Sequence, residues 1–181
     1  MSRRAILLTG FEPFAGLTLN PSAEVAPRVT QLVDEIDPVA IIHLGLAGGR
    51  ARLSLERVAV NVMNYDTPDN AGHVARGEAC VPDGPPAYFS TLPLGAILAA
   101  VLAEGIPAAV SNTAGTYLCN QTMYGTLHAL SVRRHPARAG FIHLPLLPAM
   151  VAASGLEQPS MDAGLMVRAV EIALAVVARA R

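Results

Sequence analysis

Apolar and polar positions follow two rhythms along this chain. Short apolar runs recur at residues 5–10 (AILLTG), 39–45 (VAIIHLG), 107–112 (PAAVSN) and 140–146 (GFIHLPL). Runs this brief, without a regular polar face, predict strands covered on both sides. The stretch LSLERVAVNV at 53–62 alternates instead, which predicts a half-covered strand. Helices are expected at about 20–35, 94–104, 118–133 and 160–179. The first carries its own start signal, Asn20-Pro21-Ser22, in which a polar cap residue precedes a proline whose missing N–H costs nothing in a first turn. Residues 64–93 are rich in Pro, Gly, Asp and Asn, and predict a long irregular region of the kind that serves function or assembly.

Strands alternating with helices predict one α/β domain spanning residues 1–181, a three-layer α/β/α sandwich around a mainly parallel twisted sheet. A chain of 181 residues can bury such a core, and its 52% apolar and 15% charged composition is that of an ordered globular protein. The formal net charge of −1 gives no reason to expect a nucleic-acid partner. All 13 basic residues are arginines, and the pairs Arg3–Arg4 and Arg133–Arg134 are too short for a polyanion patch. The apolar run after the basic start is only AILL, too short for a signal peptide. Arg168 and Glu171 interrupt the last helix, which therefore reads as amphipathic rather than membrane-spanning. The cysteines, Cys80 and Cys119, lack metal-site spacing and are expected as free thiols in a reducing cytoplasm. No metal or cofactor is expected.

In parallel α/β sheets, sites gather beyond the carboxyl ends of the strands. Cys119 meets that test: the strand 107–112 and the loop TAGTY lead into it at a helix start, where free N–H groups favour a thiolate. A small buried residue is the other reading of the same cysteine. His143 sits near the end of an apolar strand, either as a catalytic base or as a core histidine bonded to a carbonyl. His43 (mid-strand), His73 and His135 (loops) and His128 (helix) make weaker candidates. A thiol nucleophile needs a base, and the base an orienting acceptor. The residues leave five carboxylates open for that role: Glu12, Glu56, Asp66, Asp69 and Glu78. Glu56 breaks an apolar strand, but alternation also fits a solvent-facing position. The glycine loops GFEPFAG (10–16) and GLAGGR (45–50) lack the lysine or the following helix of nucleotide-binding motifs. Phe11 and Phe14 fit either an apolar pocket wall or ordinary loop packing.

The stretches LLTGFEPFAGLTLNPS, LGLAGGRARLSLERVAVNV, VPDGPPAYFSTLP, VSNTAGTYLCNQTMYGTLH and GFIHLPLLP, in this order between residue 6 and about 148, closely resemble the pyrrolidone-carboxyl peptidase family, also called pyroglutamyl peptidase type I. The resemblance implies a cytoplasmic cysteine exopeptidase, usually a homotetramer, that removes N-terminal pyroglutamate from peptides without metal or cofactor. It places the triad at Glu56, Cys119 and His143, so choosing among the five carboxylates. It implies a substrate pocket at Phe11, Phe14, Asn20, Tyr117 and Leu118. The expected chemistry is thiol acyl transfer. The chain departs from the family in three places. The first crossover is shortened between the NPS segment and the strand before AGGR. Leu46 stands where glutamine is frequent, and Asp66 lies in YDTPDN where an arginine is frequent. The shortened crossover raises an inactive or binding-only relative as one alternative, and a phosphorylase or nucleotide-binding protein on a similar scaffold is another.

Overall fold

Alternate side chains of a strand point to opposite faces, and this sequence makes both faces apolar. The computed structural model describes residues 5–10, 33, 35–65, 67–69, 72–155 and 157–180. Its central sheet has the spatial order β1 (Ile6–Gly10), β2 (Ala40–Leu46), β9 (Arg138–Leu144), β3 (Leu53–Glu56), β8 (Ala108–Ser111). β1 pairs with β2, β2 with β9, and β3 with β8 in parallel, whereas β3 runs antiparallel to β9. The sheet is thus mainly parallel, as expected, but β3 and β8 run against the other three. On one face Ile42, Leu53, Leu55 and Ile142 pack against α1 (Leu94–Ala103) and α4 (Ala163–Arg179). On the other, Ile41, Ala139 and Phe141 pack against α2 (Leu118–Arg133). These are the three layers of the expected sandwich. Each aliphatic side chain buried between them stabilises the fold by roughly 1.5–3 kcal/mol.

Helix α4 shows how the sequence makes one layer. Asp162 caps it, its carboxylate accepting from the N–H groups of Gly164 (2.8 Å) and Leu165 (3.3 Å). Met166, Ala169, Val170, Ala173 and Val177 are buried along one stripe. Helix α2 has no such stripe, because it is covered on two sides. The expected strand 53–62 divides at Arg57, whose N–H donates to Ser111 O (2.8 Å) and whose carbonyl accepts from Ser90 N (2.8 Å). Beyond that break, β4 (Val58–Val60) pairs with β7 (Ala87–Phe89), and both pack on α2. A second small ribbon joins β5 (Met63–Asn64) to β6 (Arg76–Glu78), so the region expected to be irregular holds three short strands. One helix was not expected: α3 (Pro148–Ser154) starts on a proline, ends at Gly155 (φ 64°), and buries none of its residues. Of the expected helix at 20–35, only Val33 and Glu35 are described, both helical; the shortened crossover lies largely outside the described residues.

His43, on β2, ties α2 to the sheet. It is fully buried. Its Nδ1 lies 2.6 Å from Thr9 Oγ1 and its Nε2 lies 2.9 Å from Thr126 Oγ1. Burial pushes its pKa down from 6.5 to about 4. The native state therefore binds this proton less readily than the unfolded chain. The contribution is complete above pH 6.5 and is lost as pH falls from 6.5 toward 4. A shift of that size corresponds to about 3 kcal/mol. Between pH 7 and 4.5 the urea midpoint of the native chain should fall more steeply than that of His43→Gln, and parallel pH slopes would remove His43 from this role.

Candidate active site

Strand alternation carries Ser54 and Glu56 to the α2 face of the sheet, and the antiparallel register sets Ser54 opposite His143 and Glu56 opposite Phe141. Glu56 therefore reaches diagonally to His143, its Oε1 accepting from His143 Nδ1 at 2.8 Å. Both are buried, Glu56 at 0% exposure and His143 at 4%. Glu56 is thus not a solvent-facing member of an alternating strand, and His143 is bonded to a carboxylate rather than to a backbone carbonyl. The same Oε1 also accepts from Arg50 Nη1 at 2.8 Å. Burial alone would push the Glu56 carboxyl up. Hydrogen bonds from His143 and Arg50, together with the charge of His143, outweigh it and hold the group below its ordinary value. Ser111 stands opposite Glu56 on β8, but its hydroxyl donates to Thr113 O (3.0 Å), and Glu56 Oε2 has no hydrogen-bond partner among the described residues. The His143 and Arg50 bonds are the ones with geometry to account for the lowering.

Cys119 is the second residue of α2, half-buried, with its sulfur over β2. A Cβ built on Gly45 would stand 3.2 Å from Cys119 Sγ and 2.6 Å from Phe141 Cζ, and Gly45 is the register partner of His143. A glycine is required there: a methyl group would collide with the Phe141 ring and displace the thiol. Asn120 anchors the helix start. Its Oδ1 accepts from Val60 N (2.9 Å) and its Nδ2 donates to Val60 O (2.9 Å) and Val62 O (3.1 Å). The first helical bond of α2 runs from Gln121 N to Tyr117 O, which leaves the N–H groups of Leu118, Cys119 and Asn120 outside its ladder. The expectation of a stabilised thiolate needs correction. Burial first, then the Glu56 carboxylate, push the Cys119 thiol up to about 12, against smaller lowering effects from its own N–H and from Arg50. The resting group is a thiol.

The structure brings Cys119, His143 and Glu56 to one face across β2, β9 and β3. The route differs from the expected one, since β8 runs opposite to β9 and their carboxyl ends point to opposite edges of the sheet. Tyr117 stands at the N-cap of α2 with its ring edge-on to Tyr65 at 4.6 Å, while Leu118 is buried. Phe11, Phe14 and Asn20 lie outside the described residues, as do Glu12 and Asp66. Asp69 serves its own loop, accepting from His73 N (2.9 Å), and Glu78 pairs with His73 Nε2 (3.3 Å). Leu46 ends β2 with its side chain exposed. Arg50 was not anticipated. It lies in the turn before β3, where strand alternation carries no signal.

A family model described as pyroglutamyl peptidase matches residues 26–180. The pyrrolidone-carboxylate peptidase of Enterobacter sp. (strain 638) is 43% identical over 202 aligned positions, covering 97% of this chain and 94% of that protein. That of Yersinia pestis (strain Pestoides F) is 38% identical, covering 96% and 92%. An alignment of 202 positions on a chain of 181 residues means the relative has residues this chain lacks, in keeping with a shortened segment. Among solved structures, pyrrolidone carboxyl peptidase from Thermococcus litoralis superposes with a TM-score of 0.87 at 34% identity, covering 97% of this chain and 94% of its own. That of Pyrococcus furiosus gives 0.85 at 37%, covering 96% and 97%.

Proposed function

The chain belongs to the pyroglutamyl peptidase family, and from that premise we propose that its single domain hydrolyses the bond after an N-terminal pyroglutamyl residue, with Cys119 as nucleophile, His143 as acid and base, and Glu56 as the group that orients His143. The family is one of cysteine omega-peptidases. The observation that carries the residue assignment is the His143 Nδ1 to Glu56 Oε1 bond of 2.8 Å, buried beside a thiol held over Gly45. His143 takes the thiol proton as Cys119 Sγ attacks the pyroglutamyl carbonyl. The N–H of Cys119, free of the helix ladder, donates to the oxyanion. His143 then returns the proton to the leaving amine, and water hydrolyses the thioester. A resting thiol suits this order, because proton transfer accompanies attack rather than preceding it. An inactive relative is disfavoured by the complete Glu56–His143 geometry, and a phosphorylase by the family assignment.

Phe11, Phe14, Asn20, Tyr117 and the backbone at Leu118 form the proposed substrate pocket. A lactam has no charged amine, whereas a prolyl N-terminus would have to shed its hydration in an apolar pocket. A coumarin amide of pyroglutamate should be cleaved roughly a hundredfold or more faster than the prolyl amide. Equal rates would sink the pocket assignment.

The proposal extends to a cytoplasmic homotetramer. Cys80 and Cys119 are both unpaired, as a reducing compartment favours. Exposed Phe89 and Val132 are available for subunit contact. No helix among the described residues is long and apolar enough to cross a membrane.

A further inference from the structure

Beyond Glu56, on the side away from Cys119, the sheet carries a cavity of about 350 Å³. Its wall is the Gly49–Arg52 turn, Ser54, and Ala109, Val110 and Ser111 of β8. Among the described residues no carboxylate lines it. Arg50 and Arg52 both do, two residues apart in the turn that leads into β3, and Ser54 follows on the strand. Arg50 gives one Nη1 hydrogen to Glu56, which leaves most of its five donors uncommitted to that bond. Arg52 has no ion pair among the described residues. Ser54 is 95% buried, at 5% exposure, and its hydroxyl has no hydrogen-bond partner among the described residues although it lines the cavity. That hydroxyl is open to the cavity, where a ligand or water can meet it. Two guanidinium groups and the Ser54 hydroxyl, around a space that no carboxylate of the described residues lines, match an anion with several acceptor oxygens.

We propose that this cavity is a binding site for a small oxyanion, a phosphate or the carboxylate of a small organic acid, held by Arg50, Arg52 and Ser54. It is separate from the peptide site. Across the sheet, Cys119 lies over β2, His143 is on β9, Glu56 is on β3, and the cavity opens over β3 and β8. The two sites share Arg50. An anion in the cavity is attracted by that guanidinium and repelled by Glu56, so occupancy and the charge of the catalytic carboxylate are thermodynamically linked.

The test is calorimetric titration of the native chain with inorganic phosphate and, separately, with succinate, at constant ionic strength and without peptide. Saturable binding of one or both is expected, and the arm that binds identifies the source. Arg52→Ala and Ser54→Ala should each weaken it roughly tenfold or more. Glu56→Gln should tighten it several-fold, because the repelling charge is gone while the Arg50 guanidinium stays in place. Absence of saturable binding by both anions, or equal affinity in the Arg52→Ala and Ser54→Ala chains, would overturn the proposal. The titration needs no turnover, so its failure leaves the peptidase reading standing, and an inactive peptidase that binds phosphate leaves the anion site standing.

Discussion

Cys119→Ala should lose cleavage of a pyroglutamyl coumarin amide by roughly 10⁴-fold or more in kcat/KM, with its thermal unfolding midpoint within a few degrees of the native chain. The substitution removes one sulfur from a half-buried position and leaves every hydrogen bond that anchors the start of α2, because those bonds belong to Asn120. The two effects are therefore separable. Activity that survives would remove Cys119 from the mechanism. Alkylation gives an independent measure. A thiol pushed up to about 12 is protonated at neutral pH, so the rate of Cys119 alkylation by iodoacetamide should keep climbing from pH 7 to pH 10. A rate already level at pH 7 would mean that a preformed thiolate is present.

The positions that were legible in the sequence are those whose signal is local. Cys119 and His143 stood out because of local signals, Cys119 at a helix start after a strand and a glycine turn, His143 near the end of an apolar strand. Helix α2 has the bounds expected of it, 118–133, since Gly115 turns the chain before it and Arg134 closes it in a left-handed conformation. Glu56 was not legible in the same way. A lone carboxylate in an alternating strand has the same pattern whether its face meets water or a helix, and that is decided by β9 and β8 flanking β3, which are non-local pairings. The family resemblance chose it, and the structure sets its carboxylate 2.8 Å from His143 Nδ1. The break at Arg57 was missed because the sequence alternates straight through it, while hydrogen bonds to Ser111 and from Ser90 divert the chain. The reversal of β3 and β8 was missed for a related reason: strand direction depends on how connections cross the sheet, which hydrophobic periodicity does not record.

Glu56→Gln should reduce kcat by roughly 10² to 10⁴-fold while leaving the fold in place. Its unusual cleanness comes from the way the carboxylate is used. Both donors, His143 Nδ1 and Arg50 Nη1, converge on Oε1, each at 2.8 Å, and Oε2 receives no hydrogen bond among the described residues. A glutamine that sets its amide oxygen at the Oε1 position keeps both bonds and places its NH₂ at the unpartnered Oε2 position. What it removes is the charge. In the native chain that charge is present across the working range, because Glu56 is held below its ordinary value and ionises before the pH reaches neutrality. Its contribution to stability is complete above the unfolded carboxyl pKa and is lost only as pH falls through the depressed one. The positive charge that His143 acquires when it takes the Cys119 proton is then met by a neutral amide in place of a carboxylate, in a buried setting where water cannot compensate. The loss should fall on kcat more than on KM, since Glu56 is buried behind His143. The buried NH₂ costs about 1–3 kcal/mol of stability if nothing accepts from it, so the urea midpoint should move by a measurable but not disabling amount. Unchanged kcat with a shifted midpoint would make Glu56 a structural partner of Arg50 alone, and His143 would then need another orienting group.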